Sequence, residues 1–309
     1  MTPHHLSDSY VVVYLFLSVR ASPDLYFIRD KQPLLRYTDD MYAAVDIGGT
    51  KTLVAVFSQE GKLLEEVKFA TPPSYEVFIS EMAKTVENLS TREFQAVGVA
   101  APGVIDHQEG LLLAGGNLLW KHEPVQADLE KIFHAPAHLE NDAKAAAIAE
   151  SRAAGGKFNT VVYITISTGI GVGVCINGKL DNALIDSEPG RMYVEKNGKM
   201  EPWETLASGK AIVAKYGKKA SDLDDPNAWK EISHELAKGI LTIIAMVQPD
   251  LIVIGGGVGS HFEKFEKPLL AELKKYENPL APTPPLRKAT HPEEAVIYGC
   301  YELAKEFYK

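Results

Sequence analysis

The chain has 309 residues, 46% hydrophobic, 24% charged and 9% aromatic, an ordinary globular composition whose length suits two packed lobes better than one. Its 41 acidic and 32 basic side chains leave a formal charge of -9. That balance excludes a general attraction for nucleic-acid phosphates or an anionic membrane, and leaves a small molecule as the expected partner.

In chain order, residues 10–19 form an apolar run about half as long as the roughly 20 residues that span a bilayer. No Lys or Arg precedes it and no small-residue cleavage pattern follows, so it does not read as a signal peptide. Met41 stands directly before the first recognisable strand. Residues 1–40 are therefore expected to be a poorly ordered extension, or the product of an upstream start that the cell does not use. Next come β-rich runs at 42–46, 52–58 and 63–69, the last two joined by a turn at Glu60-Gly61-Lys62. Residues 75–89 carry apolar side chains at helical spacing, and 96–101 form an apolar strand that ends at Pro102-Gly103. A short helix at 125–133 and a short strand at 138–140 follow. Asn141 is placed to cap a helix over 143–153.

The second half repeats the theme. Strands are expected at 160–167, 172–176 and 179–184, with Asn177-Gly178 as a hairpin turn. Helices are expected at 203–216 and 229–247, a buried strand at 251–254, a proline-rich loop at 274–287, a last strand at 289–290 and a closing helix at 295–307. Cys175 and Cys300 lie far apart in apolar stretches, at no metal-ligand spacing. Both read as small buried thiols of a reduced, cytoplasmic protein. Each half opens with a strand, a glycine turn and an antiparallel hairpin, the pattern of a repeated α/β lobe with a ligand cleft between the copies.

Asp46-Ile47-Gly48-Gly49-Thr50-Lys51-Thr52 puts a carboxylate at a strand end and glycines in the turn behind it. Glycines let backbone N–H groups approach an anion, and Thr50 and Lys51 add donors. The spacing is neither a Walker loop nor a dinucleotide fingerprint, and such a turn also serves plain hairpin chemistry. Ser167-Thr168-Gly169-Ile170-Gly171 is a second turn of the same kind, and Gly255-Gly256-Gly257 ends a buried strand.

Taken together, 46–52, Asn141-Asp142, 167–171 and 252–257 resemble the ROK family of sugar kinases, glucokinase-like members of the actin- and hexokinase-like ATPases. The resemblance runs from about residue 42 to the C-terminus. It implies an α/β, two-lobed actin-like ATPase (ribonuclease H-like) fold with an interlobe cleft. The lobes would be 41–141 plus 295–309, and 142–294. It further implies an ATP- and Mg²⁺-dependent hexose kinase, homodimeric, acting on the 6-hydroxyl. By the same resemblance Asp142 is the base, Asp46 holds Mg²⁺ and Gly48, Gly49, Thr50 and Lys51 face the phosphates. Thr168 and Gly169 hold the phosphates from the other lobe, and Gly256 and Gly257 lie beside the adenosine. Gly103, Asn117, Asn141, Glu188 and Glu204 contact the sugar.

The chain departs from the family at one place. Many members carry Gly-Glu-x-Gly-His followed by a zinc-binding cysteine knot. This chain reads Ser187-Glu188-Pro189-Gly190-Arg191, and no cysteine follows before Cys300. No structural zinc is expected, and turn residues such as Asn197-Gly198 must shape the region instead. Arg191 stands where the family His touches the sugar. It replaces that contact, favours an acidic or phosphorylated sugar, or turns outward. The rival readings are a sugar sensor without catalysis, a polyphosphate-dependent kinase and another ATPase or acyl-phosphate relative. A DNA-binding repressor of the same family is a weaker rival, because residues 1–40 lack paired amphipathic helices and a basic cluster.

Overall fold

The computed structural model of the protein describes residues 40–292 and 294–307; apart from Asp40, the expectation for residues 1–40 lies outside the described residues. Strands β1 (Tyr42–Ile47), β2 (Lys51–Phe57) and β3 (Leu63–Ala70) form an antiparallel meander. Helix α1 (Tyr75–Glu87), strand β4 (Ala96–Ala101) and a small hairpin, β5 (Val104–Asp106) with β6 (Leu111–Ala114), come next. Helix α2 (Val125–Phe133) and strand β7 (Ala137–Asn141) lead into helix α3 (Asp142–Ala153). The first sheet has the order β3-β2-β1-β4-β7, with β4 and β7 parallel to β1.

The second sheet repeats that plan. Strands β8 (Thr160–Ile166), β9 (Ile170–Ile176) and β10 (Lys179–Leu180) make its meander, and a separate hairpin pairs β11 (Tyr193–Lys196) with β12 (Lys199–Pro202). Helices α4 (Glu204–Ala207), α5 (Gly209–Tyr216) and α6 (Pro226–Val247) precede strand β13 (Leu251–Gly255). Helices α7 (Gly256–Gly259) and α8 (Phe262–Lys274), strand β14 (Leu286–Lys288) and helix α9 (Ala295–Phe307) complete the chain. The sheet order is β10-β9-β8-β13-β14, again an antiparallel meander followed by parallel strands.

Alternation along the strands divides the core. In β1, Ala43, Val45 and Ile47 point to one face and pack with Phe78 and Met82 of α1 and Leu129 and Phe133 of α2. Tyr42 and Ala44 point the other way, against Tyr301 and Ala304 of α9. In the second sheet Ile164, Val172 and Ile254 pack with Leu236 and Ile240 of α6 and Phe265 and Leu269 of α8. Helix α3 is alanine-rich because it is covered on several sides: nine of its 12 residues are buried. A Cβ on Gly173 of β9 would lie 2.4 Å from the Ala147 Cβ, and one on Gly299 of α9 would lie 2.0 Å from the Ala145 carbonyl oxygen. Small side chains on all three elements allow this approach. Arg152, at the far end of α3, is clamped by Glu302 and Glu306 of α9.

Most expected elements fall where the pattern put them, and the exceptions have identifiable causes. The helix expected over 203–216 breaks at Ser208, which is extended at φ -74°, ψ 167°, with its hydroxyl accepting from the Ala211 N–H at 3.3 Å. The Gly209 N–H donates to the Ser167 carbonyl at 2.7 Å, so the break is anchored on the second glycine turn. The strand expected at 289–290 lies at Leu286–Lys288 instead, although the Ala289 N–H still donates to the Ile254 carbonyl at 2.8 Å. The third strand of the second meander stops at Leu180, two residues long, because the chain turns at Asp181. Asn197 and Gly198, both with positive φ, form the β11–β12 turn in the region where the family knot would stand. Cys175 and Cys300 are free and buried.

A Cβ on Gly98 of β4 would lie 1.8 Å from the Cys300 carbonyl oxygen. Gly98→Ala and Gly299→Ala are each expected to lower stability by roughly 1–3 kcal/mol through overpacking, read as a lower urea midpoint at unchanged slope.

Candidate active site

Asp142 is placed by three decisions of the local sequence. Strand β7 ends at Asn141, whose extended backbone and side chain cap α3: its Oδ1 accepts from the Ala143 N–H at 3.0 Å and the Lys144 N–H at 3.4 Å. The Asn141 amide then donates to the Gly103 carbonyl at 3.0 Å, tying the β4–β5 turn to the helix start. Asp142 opens the helix and accepts from the Ala143 N–H at 2.7 Å. Burial lifts its carboxyl to about 6, with the Ala143 N–H and Lys144 opposing and Glu188 adding to the rise.

A cavity of about 550 Å³ opens beside it, and Gly103, Asn117, Asn141 and Asp142 form one wall. Thr168, Gly169, Glu188, Arg191 and Glu204 also line the cavity. Glu188 is held by the buried Lys144, whose Nζ lies 3.6 Å from its Oε1. The turn Pro189–Arg191 is fixed against β9, where a Cβ on Gly190 would lie 1.8 Å from the Ile170 carbonyl oxygen. The Arg191 side chain has no hydrogen bond or ion pair among the described residues and lines the cavity. Glu204 opens α4 and reaches the second glycine turn: a Cβ on Gly169 would meet its Oε2 at 2.7 Å.

A second, more apolar cavity of about 770 Å³ shares Ser167, Thr168 and Lys210 with the first. Gly257 lines it, with Val213, Val258 and Ser260. Gly256 stands behind, at φ +80°, where a Cβ would lie 2.5 Å from the Thr165 hydroxyl; only glycine fits there. Asp46 and Lys51 line a third cavity of about 490 Å³, which shares Ser260 with the second. The first glycine turn is pinned by a bond from the Gly48 N–H to the Lys51 carbonyl at 3.0 Å and by Thr71, whose hydroxyl donates to the Gly48 carbonyl at 2.7 Å. Gly48, Gly49 and Thr50 line none of these cavities. Gly49 nevertheless lies against Asn117, whose Cβ would be 2.8 Å from one added there. The expected site residues thus gather around three adjoining cavities, with the first glycine turn at their margin.

Asp46, at the end of β1, is lifted to about 7 by burial first and then by the charge of Asp142, with Lys51 opposing. Two carboxylates within each other's field, one nearly stripped of water, are a place where added positive charge is favourable. Among the described residues no group of three or more His, Cys, Asp and Glu side chains could hold a metal ion. One or two carboxylates such as Asp46 and Asp142 are the donors that a cation of the Mg²⁺ type takes from a protein, its shell being completed by water and phosphate oxygens.

Some participants escaped the sequence reading. Lys144 was signalled by a charge inside an alanine run, and Ser208-Gly209 by a turn pair inside an apolar helix. His107, whose Nε2 lies 3.1 Å from both oxygens of the fully buried Glu140, carried no signal at all.

Two topologically repeated sheets, with adjoining cavities lined from both, define an actin-like ATPase fold. The chain belongs to the ROK family, which it matches over residues 42–307. It is similar to the glucokinase of Streptomyces coelicolor, 26% identical over 85% of this chain and 96% of that one. It is likewise similar to the N-acetyl-D-glucosamine kinase of Haemophilus influenzae, 26% identical over 85% of this chain and 99% of that one. The crystal structure of a ROK family glucokinase from Streptomyces griseus in complex with glucose and AMPPNP superimposes with a TM-score of 0.74, at 26% identity, covering 86% of this chain and 99% of the other.

The Asp46 carboxyl takes up protons more readily folded than unfolded, so its ionisation weakens the fold as pH rises from about 4 to about 7. Asp46→Asn is expected to raise stability by roughly 1–3 kcal/mol at about pH 8 and to bring no gain at about pH 4. Thermal unfolding at the two pH values checks this.

Proposed function

We propose that this ROK family sugar kinase transfers the terminal phosphoryl group of ATP to the 6-hydroxyl of a hexose, with Asp142 as general base. The observation that carries the reading is the carboxyl of Asp142, lifted to about 6 and opening on a cavity that Glu188, Glu204, Asn117 and Arg191 also line. Such a carboxylate is ionised at neutral pH yet basic enough to accept a hydroxyl proton as the bond to phosphorus forms. The sugar oxygen gains the phosphoryl group, its proton passes to an Asp142 oxygen, and the bond to the β-phosphate oxygen breaks to release ADP. Glu188, steadied by Lys144, and Glu204 accept from sugar hydroxyls, while the Asn117 amide both donates and accepts. The backbone amides of the second glycine turn suit phosphate oxygens. Bound with the nucleotide beside Asp46, Mg²⁺ would supply positive charge against the phosphates and the two carboxylates. The more apolar cavity at Gly257 suits the adenosine.

The unpaired Arg191 guanidinium bears on which sugar is taken. Where it contacts the sugar, it serves as a donor to hydroxyls in place of the family His. The two free, buried thiols fit a reduced, cytoplasmic setting.

Coupled ADP release with Mg-ATP and a panel of neutral, N-acetylated and acidic sugars tests the reading, with polyphosphate as an alternative donor. Turnover should require a sugar, and Asp142→Asn should lower kcat by roughly 10²–10⁴. In the wild type kcat/KM should fall about tenfold for each pH unit below about 6, where Asp142 of the free enzyme becomes protonated. Sugar binding without turnover would identify a sensor instead.

A further inference from the structure

His107 lies in the turn between β5 and β6, one residue beyond β5, at the edge of the segment that Gly103 begins. Its Nε2 is 3.1 Å from both carboxylate oxygens of Glu140, a residue with no exposed surface. Glu140 Oε1 in turn accepts from the Asn141 N–H at 2.7 Å. Segment 103–107 is therefore fastened to the Asn141-Asp142 corner twice, once by the Asn141 amide on Gly103 and once by the His107 ring on Glu140. The other ring nitrogen, Nδ1, stands 3.5 Å from Oδ1 of Asp186, which is exposed and lies two residues before Glu188. One imidazole thus spans from the support of the base to the segment that carries a sugar-facing carboxylate.

We propose that His107 is a positioning residue whose protonation ties the Glu188 segment to the Asp142 corner and so strengthens sugar binding. This inference rests on the kinase reading above. A neutral imidazole has a single N–H. With that proton on Nε2 for the buried Glu140, a bare nitrogen faces the Asp186 carboxylate. The imidazolium has two N–H groups and donates to both. The groups that face the ring are Glu140 and Asp186, which favour its charge, and Lys144 and His138, which do not. The hydrogen bond that the ring donates to Glu140 is the largest influence and raises the ring's pKa above its ordinary value, ahead of the opposing effect of burial. The tie is present below that raised pKa and is lost as pH rises through it. Asp186 is exposed, so the tie has the strength of a surface ion pair, about a threefold effect on affinity.

Two measurements test this. Ring NMR of the sugar-free protein should show His107 titrating above the ordinary histidine value in the wild type and lower in Asp186→Asn. Sugar KM, followed between about pH 5 and 8, should rise about threefold through the imidazole titration in the wild type. In His107→Gln and Asp186→Asn that rise should be absent, so that the wild-type KM is about a third of theirs at the acid end and meets theirs at the alkaline end. Because Asp186 is exposed, its variant tests the tie without disturbing the fold. A His107 titration that Asp186→Asn does not move, or a KM profile that both variants retain, would overturn the proposal. Lack of turnover with every sugar would overturn the kinase reading and the sugar role together, and the imidazole titration would still decide whether the tie exists.

Discussion

The charge of Asp142 acts against that of Asp46, each carboxylate already disfavoured by burial, and the rest of the site is built around the two. Burial is the larger cause of the rise at both residues, and the charge of Asp142 adds to it at Asp46. An arrangement that costs stability persists when surrounding structure fixes it, and such strain concentrates at functional sites. Here β1 ends at the glycine turn and leaves Asp46 near the C-terminal end of the sheet's central strand, while α3 delivers Asp142 at its first residue.

Helix α3 can do this because alanines form the faces it turns to β9 and α9. Glycines of β9 and α9 meet those alanines at distances that a Cβ would make impossible, so the helix cannot slide or rotate without a clash. Lys144, near its start, reaches to Glu188. Asn141 serves as both structural cap and site residue: the same amide group satisfies the helix start and anchors the turn at Gly103. A reading of Asn141-Asp142 as a plain helix cap and a reading of it as a catalytic pair describe one piece of geometry.

Much of the fold was legible because local signals agreed with tertiary structure. The buried strands carried β-branched runs, Asn177-Gly178 marked its hairpin, and the closing helix over 295–307 had unbroken helical spacing. Where the reading failed, a long-range contact had outweighed local pattern. Ser208 interrupts an apolar helix because the Gly209 N–H is drawn to the Ser167 carbonyl. The last strand shifts to Leu286–Lys288 because its register on β13 is set by pairing, not by composition. The Asn141-Asp142 corner and both glycine turns showed in the sequence because a helix cap and tight turns require particular residues at particular positions. The bridge from Glu140 through His107 to Asp186 did not, since it joins residues from three separate segments.

The central claim, that Asp46 and Asp142 form a pair of carboxylates whose neighbouring cations only partly offset burial and mutual repulsion, is tested most directly by carboxyl NMR titration of Asp46. The titration would be run with and without Mg²⁺ and a non-hydrolysable ATP analogue. The account predicts that Asp46 titrates at about 7 in the free protein and drops into the ordinary carboxylate range, about 4, when both are added. A free-protein value already near 4, or a value near 7 that Mg²⁺ and the nucleotide leave unmoved, would contradict it.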